Sequence, residues 1–132
     1  MGAPNAPAAG EADPLRSASP LFQLTTACGA GAYEELLFRL FLFMGLFWLG
    51  RFLKLDKLPA GILAAVVAGA VFAFFHPQGN FLSAKFRPGF FAFAMLAGIY
   101  FSAICLYRSF GMAVATHASF DIMSVLVGLT AD

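Results

Sequence analysis

Hydrophobic residues run through this chain in long unbroken stretches, and the few charged positions mark where most stretches begin and end. The first stretch extends from about Thr25 to Gly50 and is interrupted by Glu34, Glu35 and Arg39. A basic connector, RFLKLDKLP, follows with Arg51, Lys54, Asp56 and Lys57. The second stretch, AGILAAVVAGAVFAFFH, lies in a run without charge from Leu58 to Phe75 and is stopped by Pro77. A polar loop, PQGNFLSAKFRP, leads to the third, GFFAFAMLAGIYFSAICLY. Arg108 then marks a tight turn, and the fourth stretch runs from Phe110 to about Thr130. The runs are continuous rather than alternating, which favours helices over barrel strands. Their lengths approach the roughly 20 apolar residues that a bilayer-crossing helix needs. Lipid offers no partner to backbone polar groups, so an open chain crosses it as helix. The expected fold class is all-α, a polytopic membrane helix bundle of about four transmembrane helices. Within the second stretch, Ala60, Ala64 and Ala68, with Ala65 and Gly69, fall at helical spacing and suit close packing against a neighbour.

Composition supports lipid as the solvent. The chain has 132 residues, one domain's worth, and is 61% hydrophobic and only 11% charged. Soluble domains carry about 25% charged residues. A net charge of +1 argues against nucleic acid as a partner, because that needs a basic face. Cys28 and Cys105 sit among apolar residues and read as small buried hydrophobes, with no disulfide framework indicated. The first twenty residues, MGAPNAPAAGEADPLRSASP, differ in kind. They lack the basic start and apolar run of a signal peptide, and their alanine, proline and glycine content predicts a disordered tail over 1–20. Residues 21–132 then form a single membrane domain. Arg51, Lys54, Lys57 and Arg108 flank one side of the expected bundle and Arg16, Lys85 and Arg87 the other, so charge leaves orientation open.

The chemistry resides in the polar side chains inside the stretches. A charge at mid-span costs about 2.5–3.5 kcal/mol on insertion scales, yet Glu34, Glu35, Arg39, His76, His117 and Asp121 are all present. Glu35 and Arg39 are four apart, acid before base, the favourable order for a helical salt bridge. That pair is explained equally well by structure or by function. Glu34 is rotated from Glu35 by about 100° and needs another partner. His76 closes the second stretch one turn after Phe72; a lone histidine there is more often an interfacial or capping residue than a catalyst. His117 and Asp121 are four apart and share a face. Ser119 lies about 200° of rotation from each, so a serine triad fails. With antiparallel neighbours, the first part of stretch one, the end of stretch two and the middle of stretch four come to similar depth. Glu34, His76, His117 and Asp121 can therefore converge on one cavity.

These residues also carry a family pattern. EExxxR stands as Glu34-Glu35-Leu36-Leu37-Phe38-Arg39, FxxxH as Phe72 to His76, and HxxxN/D as His117 to Asp121. In that order, on successive spans, the chain resembles the CPBP intramembrane glutamic proteases, also described as the ABI domain. This group contains the CAAX prenyl endopeptidase of the Rce1 type and bacteriocin-processing or self-immunity proteins. The resemblance covers about Ala27 to Val127. It implies a membrane-embedded endopeptidase in which Glu34, helped by His76, activates a water. His117 and Asp121 would form the oxyanion hole, with Glu35, Arg39 and Phe72 as structural support. It further implies no cofactor, a peptide or protein substrate at the membrane, and residence in the lipid bilayer, here expected to be a bacterial cell membrane.

Two departures qualify it. Relatives usually have further membrane helices before the first motif, so the chain is expected to be truncated, minimal, or completed by a partner or a second copy. Asp121 also stands where many relatives have asparagine, and as an oxyanion donor it must be protonated. Zinc is the nearest chemical rival, because histidines and carboxylates are its ligands; HExxH is absent. A rhomboid-like serine site and paired intramembrane aspartates are also lacking. The rival of another class is a non-catalytic scaffold or immunity-type protein of the same family.

Overall fold

The computed structural model describes residues 18–131. The expected tail over 1–20 therefore lies outside the described residues, save for its last three. Of these, Ser19 accepts a hydrogen bond from the Phe22 N–H and Pro20 opens the first helix, a serine cap before proline at N1. Helix α1 runs Pro20–Glu35. It continues as a π-helical segment, Leu36–Phe43, and then as α2, Met44–Phe52. Helices α3 (Lys57–Phe75), α4 (Pro88–Tyr107) and α5 (Phe110–Ala131) follow. The described residues form an all-helical membrane bundle, and α3, α4 and α5 are each long and apolar enough to cross a bilayer.

The first pass departs from the regular helix expected of it. Five of its seven buried positions, Gly31, Glu35, Arg39, Phe43 and Phe47, are spaced by four; Phe38 and Gly50 are the other two. On an α-helix, four residues overshoot a turn by about 40°, so four such steps would carry the stripe about 160° around the axis. The wider π turn, seen where the Met44 N–H reaches the Arg39 carbonyl, rotates less per residue and takes up that drift. One face thus stays turned inward along the whole pass. Because α1 begins at Pro20, Glu34 and Glu35 also lie near the middle of the pass rather than in its first part.

Helix α3 is the most enclosed of the long helices and α5 the least. The alanine stripe of α3 receives large side chains of the first pass: Phe43 and Phe47 pack on Ala60, Ala64, Ala65 and Ala68. Nearer the end of α3, Phe38 packs with Phe72, Ala73 and Ala94. Helices α3 and α4 cross with Gly69 and Gly98 in contact, where a Cβ on Gly98 would stand 2.8 Å from the Gly69 Cα. Helix α1 packs chiefly on α5, and the π segment touches both α3 and α4. Outward residues such as Phe41, Trp48, Ile62, Leu96 and Val127 are exposed apolar side chains, as a lipid-facing surface requires. Cys28 and Cys105 are free and half-buried rather than buried.

Candidate active site

Glu34, Glu35, Arg39, His76, His117 and Asp121 gather around one point. Glu35 and Arg39 are fully buried, with Glu35 Oε2 3.3 Å from Arg39 Nε. The second Glu35 oxygen, Oε1, lies 2.8 Å from His117 Nδ1, a partner that the spacing within one helix does not disclose. Glu34, on the adjacent face of α1, is 30% exposed and directs Oε2 between two imidazoles. It is 3.9 Å from His76 Nε2 and 3.7 Å from His117 Nε2. His117 Nε2 is also 3.6 Å from Asp121 Oδ2. The structure thus brings Glu34, His76, His117 and Asp121 together from α1, the end of α3 and α5. Ser119 donates to the Ala115 carbonyl and takes no part.

Each histidine is oriented through Nδ1. His76 stands just past the end of α3, in extended backbone, and its Nδ1 lies 2.9 Å from the Phe72 carbonyl. A carbonyl only accepts, so Nδ1 carries the proton and a neutral His76 presents a lone pair at Nε2. The following loop reinforces this placement, since the Gly79 and Asn80 N–H groups both donate to the His76 carbonyl. Phe72 is more than a spacer. Its ring contacts His76 edge-on at 4.7 Å and carries the Arg39 guanidinium over its face at 4.5 Å. None of the Arg39 nitrogens makes a well-formed hydrogen bond to the protein, so aromatic faces and the Glu35 charge are its surroundings.

Two further residues shape the site. Phe101 of α4 stacks on His117 with centroids 4.8 Å apart and planes at 16°. Gly31, one turn before Glu35, lets α1 approach α5: a Cβ there would stand 3.0 Å from Asp121 Oδ2. Among 17 phenylalanines nothing singles out Phe101 in the sequence. Gly31 had a weak signal, as a small residue four before a motif glutamate. A cavity of about 240 Å³ opens beside these groups. His76, His117 and Asp121 form its polar side, and Phe90, Phe93 and Phe120 belong to its apolar wall. Among the described residues, no three histidine, cysteine or carboxylate side chains stand at metal-holding geometry.

A family model described as type II CAAX prenyl endopeptidase, Rce1-like, matches residues 16–123. No curated protein and no solved structure matches the chain.

Proposed function

The chain belongs to the Rce1-like family of type II CAAX prenyl endopeptidases, and from that premise we propose an intramembrane endopeptidase that hydrolyses peptide bonds with a water activated by Glu34 and His76. The family is one of proteases, and the apolar helices make the chain an integral membrane protein. The observation that carries the reading is the convergence of two Nε2 atoms from different helices on one Glu34 oxygen, beside a cavity. Separations of 3.7–3.9 Å exceed a direct hydrogen bond and suit a bridging water. A water between Glu34 Oε2 and His76 Nε2 donates to both and turns a lone pair toward a carbonyl carbon in the cavity.

As the water oxygen bonds to that carbon, its proton passes to Glu34, and the carbonyl oxygen becomes a tetrahedral oxyanion. His117 and Asp121 are the groups on the wall that can donate to it, Asp121 as the neutral acid. Collapse breaks the C–N bond, and Glu34 returns its proton to the departing amine. Burial in lipid keeps competing water away and strengthens each of these interactions. The aromatic wall suits an apolar side chain of a membrane-associated peptide. No metal enters the scheme.

The test is cleavage by the chain reconstituted in lipid nanodiscs, using prenylated and unprenylated peptides and a membrane-proteome comparison. Glu34→Ala and His76→Ala should each lower turnover by about 10²–10⁴, the usual contribution of acid–base catalysis, with helicity and insertion unchanged. Near-normal turnover in either variant would remove that residue from its role. A wild-type chain that cleaves nothing would favour the non-catalytic scaffold instead.

A further inference from the structure

We infer that Glu35 is the positioning residue for His117, holding it as an imidazolium so that a charged Nε2–H faces the cavity. The catalytic consequence rests on the hydrolase reading above; the protonation state rests on the hydrogen-bond geometry of Glu35 and on the charge balance of the cluster. The Glu35 contact with Arg39 is the looser of its two, at 3.3 Å and without hydrogen-bond alignment. The contact with His117 is a 2.8 Å hydrogen bond between residues 0% and 6% exposed. The stronger geometric bond of Glu35 therefore belongs to the histidine.

An ionised Glu35 only accepts, which fixes a proton on His117 Nδ1. A neutral His117 would then have a bare lone pair at Nε2, facing Glu34 Oε2 at 3.7 Å and Asp121 Oδ2 at 3.6 Å. Such a ring cannot donate to an oxyanion, and its lone pair would oppose the Glu34 carboxylate across 3.7 Å in a water-poor site. A second proton on the ring resolves both problems.

Charge balance points the same way. The ionisable groups around His117 are Glu34 and Glu35 of α1, Arg39 of the π segment, His76 after α3, and Asp121 of α5. Cys105 of α4 lies within electrostatic reach of Glu35 and Arg39. With Glu34 and Glu35 ionised, Asp121 and Cys105 protonated and His76 neutral, Arg39 alone leaves one negative charge uncompensated. An imidazolium at His117 brings the cluster to zero, the state least costly in a low-dielectric interior. Phe101 adds a matching surface, since its stacked ring presents a negative face to the imidazole. A charge-assisted donor is roughly twice as strong as a neutral one, which suits a group meant to meet a developing anion.

Nitrogen-15 spectra of histidine-labelled protein in nanodiscs test the protonation state without requiring turnover. The His117 signals, assigned by their loss in His117→Gln, should report two protonated nitrogens at pH 7. In Glu35→Gln, whose amide oxygen still accepts from Nδ1–H, one protonated nitrogen should remain. Kinetically, Glu35→Gln should lower kcat by about 10²–10³, the range for loss of one oxyanion donor, with KM little changed. Its activity should recover toward acid pH, and Glu35→Asp should restore part of kcat at neutral pH. A singly protonated His117 in the wild type overturns the inference. So does a Glu35→Gln enzyme with wild-type kcat and pH profile. If Glu35→Gln does not fold, the wild-type spectrum decides. A doubly protonated His117 in a chain that cleaves no peptide would refute the hydrolase and leave the Glu35–His117 pairing intact.

Discussion

Replacing Asp121 by asparagine and by leucine separates a donor from a charge at the site's least usual position. The carboxyl Oδ2 lies 3.6 Å from His117 Nε2, with Gly31 behind it. A Cβ at residue 31 would stand 3.0 Å from that oxygen, so with any other residue there the carboxyl would have to shift by a few tenths of an ångström. An amide is the same size and fits there. As a neutral acid Asp121 donates one hydrogen bond; ionised, it donates none and places a negative charge beside the oxyanion. Loss of one such donor costs about 10²–10³ in kcat, or about 2.7–4 kcal/mol. Asp121→Leu, similar in shape but without a donor, should lose activity by that factor at neutral pH. Asp121→Asn should stay within about tenfold of wild type, because the amide still donates. The assay is kcat against pH for a quenched fluorescent peptide in nanodiscs. Wild-type kcat should fall at alkaline pH as Asp121 gives up its proton. Asp121→Asn should lack that part of the fall, since its amide donates at every pH. Any fall that remains reports His117 losing its Nε2 proton. An Asp121→Asn enzyme as inactive as Asp121→Leu would mean that the carboxylate acts through its charge, orienting His117 or binding a metal, and the donor assignment would be withdrawn.

Two other outcomes follow from the same geometry. Among the described residues, Arg39→Ala leaves Glu35 with His117 alone as a cationic partner, and it removes the cation held over Phe72 at 4.5 Å. Breaking a buried ion pair from one side costs about 3–5 kcal/mol, a large part of the roughly 5–15 kcal/mol that holds a domain together. The variant should therefore show lower folded yield and melting temperature, and normal values of both would show that Arg39 does not support the site. Chelator-treated, metal-free protein should keep its full cleavage rate, whereas stoichiometric bound zinc, with activity restored only on its return, would replace the glutamate–water scheme.

The membrane fold was legible from residue order alone, because lipid removes most alternatives. A continuous apolar run of about 20 residues has one way to satisfy its backbone in a bilayer, so three of the four passes followed from hydropathy and punctuation. The alanines of α3 likewise announced a packed face, since small residues are what allow close approach in lipid. Local periodicity also placed Glu35 with Arg39 and His117 with Asp121, and set Ser119 apart from them. Periodicity acts only within one helix. It is silent on the azimuth at which two helices meet, and that angle puts His117 Nδ1 on Glu35 and both Nε2 atoms on Glu34. The π turn at Leu36–Phe43 was hidden for a related reason. Leucines and phenylalanines are compatible with either helix, and the choice depends on keeping Gly31, Glu35, Arg39, Phe43 and Phe47 turned toward neighbours that only the assembled bundle supplies. Gly31 and Phe101 gain their meaning in the same way, from what α5 and His117 place against them. The residue types and their order carried the chemistry available to this chain; the meeting of helices far apart in sequence decided which atoms face one another.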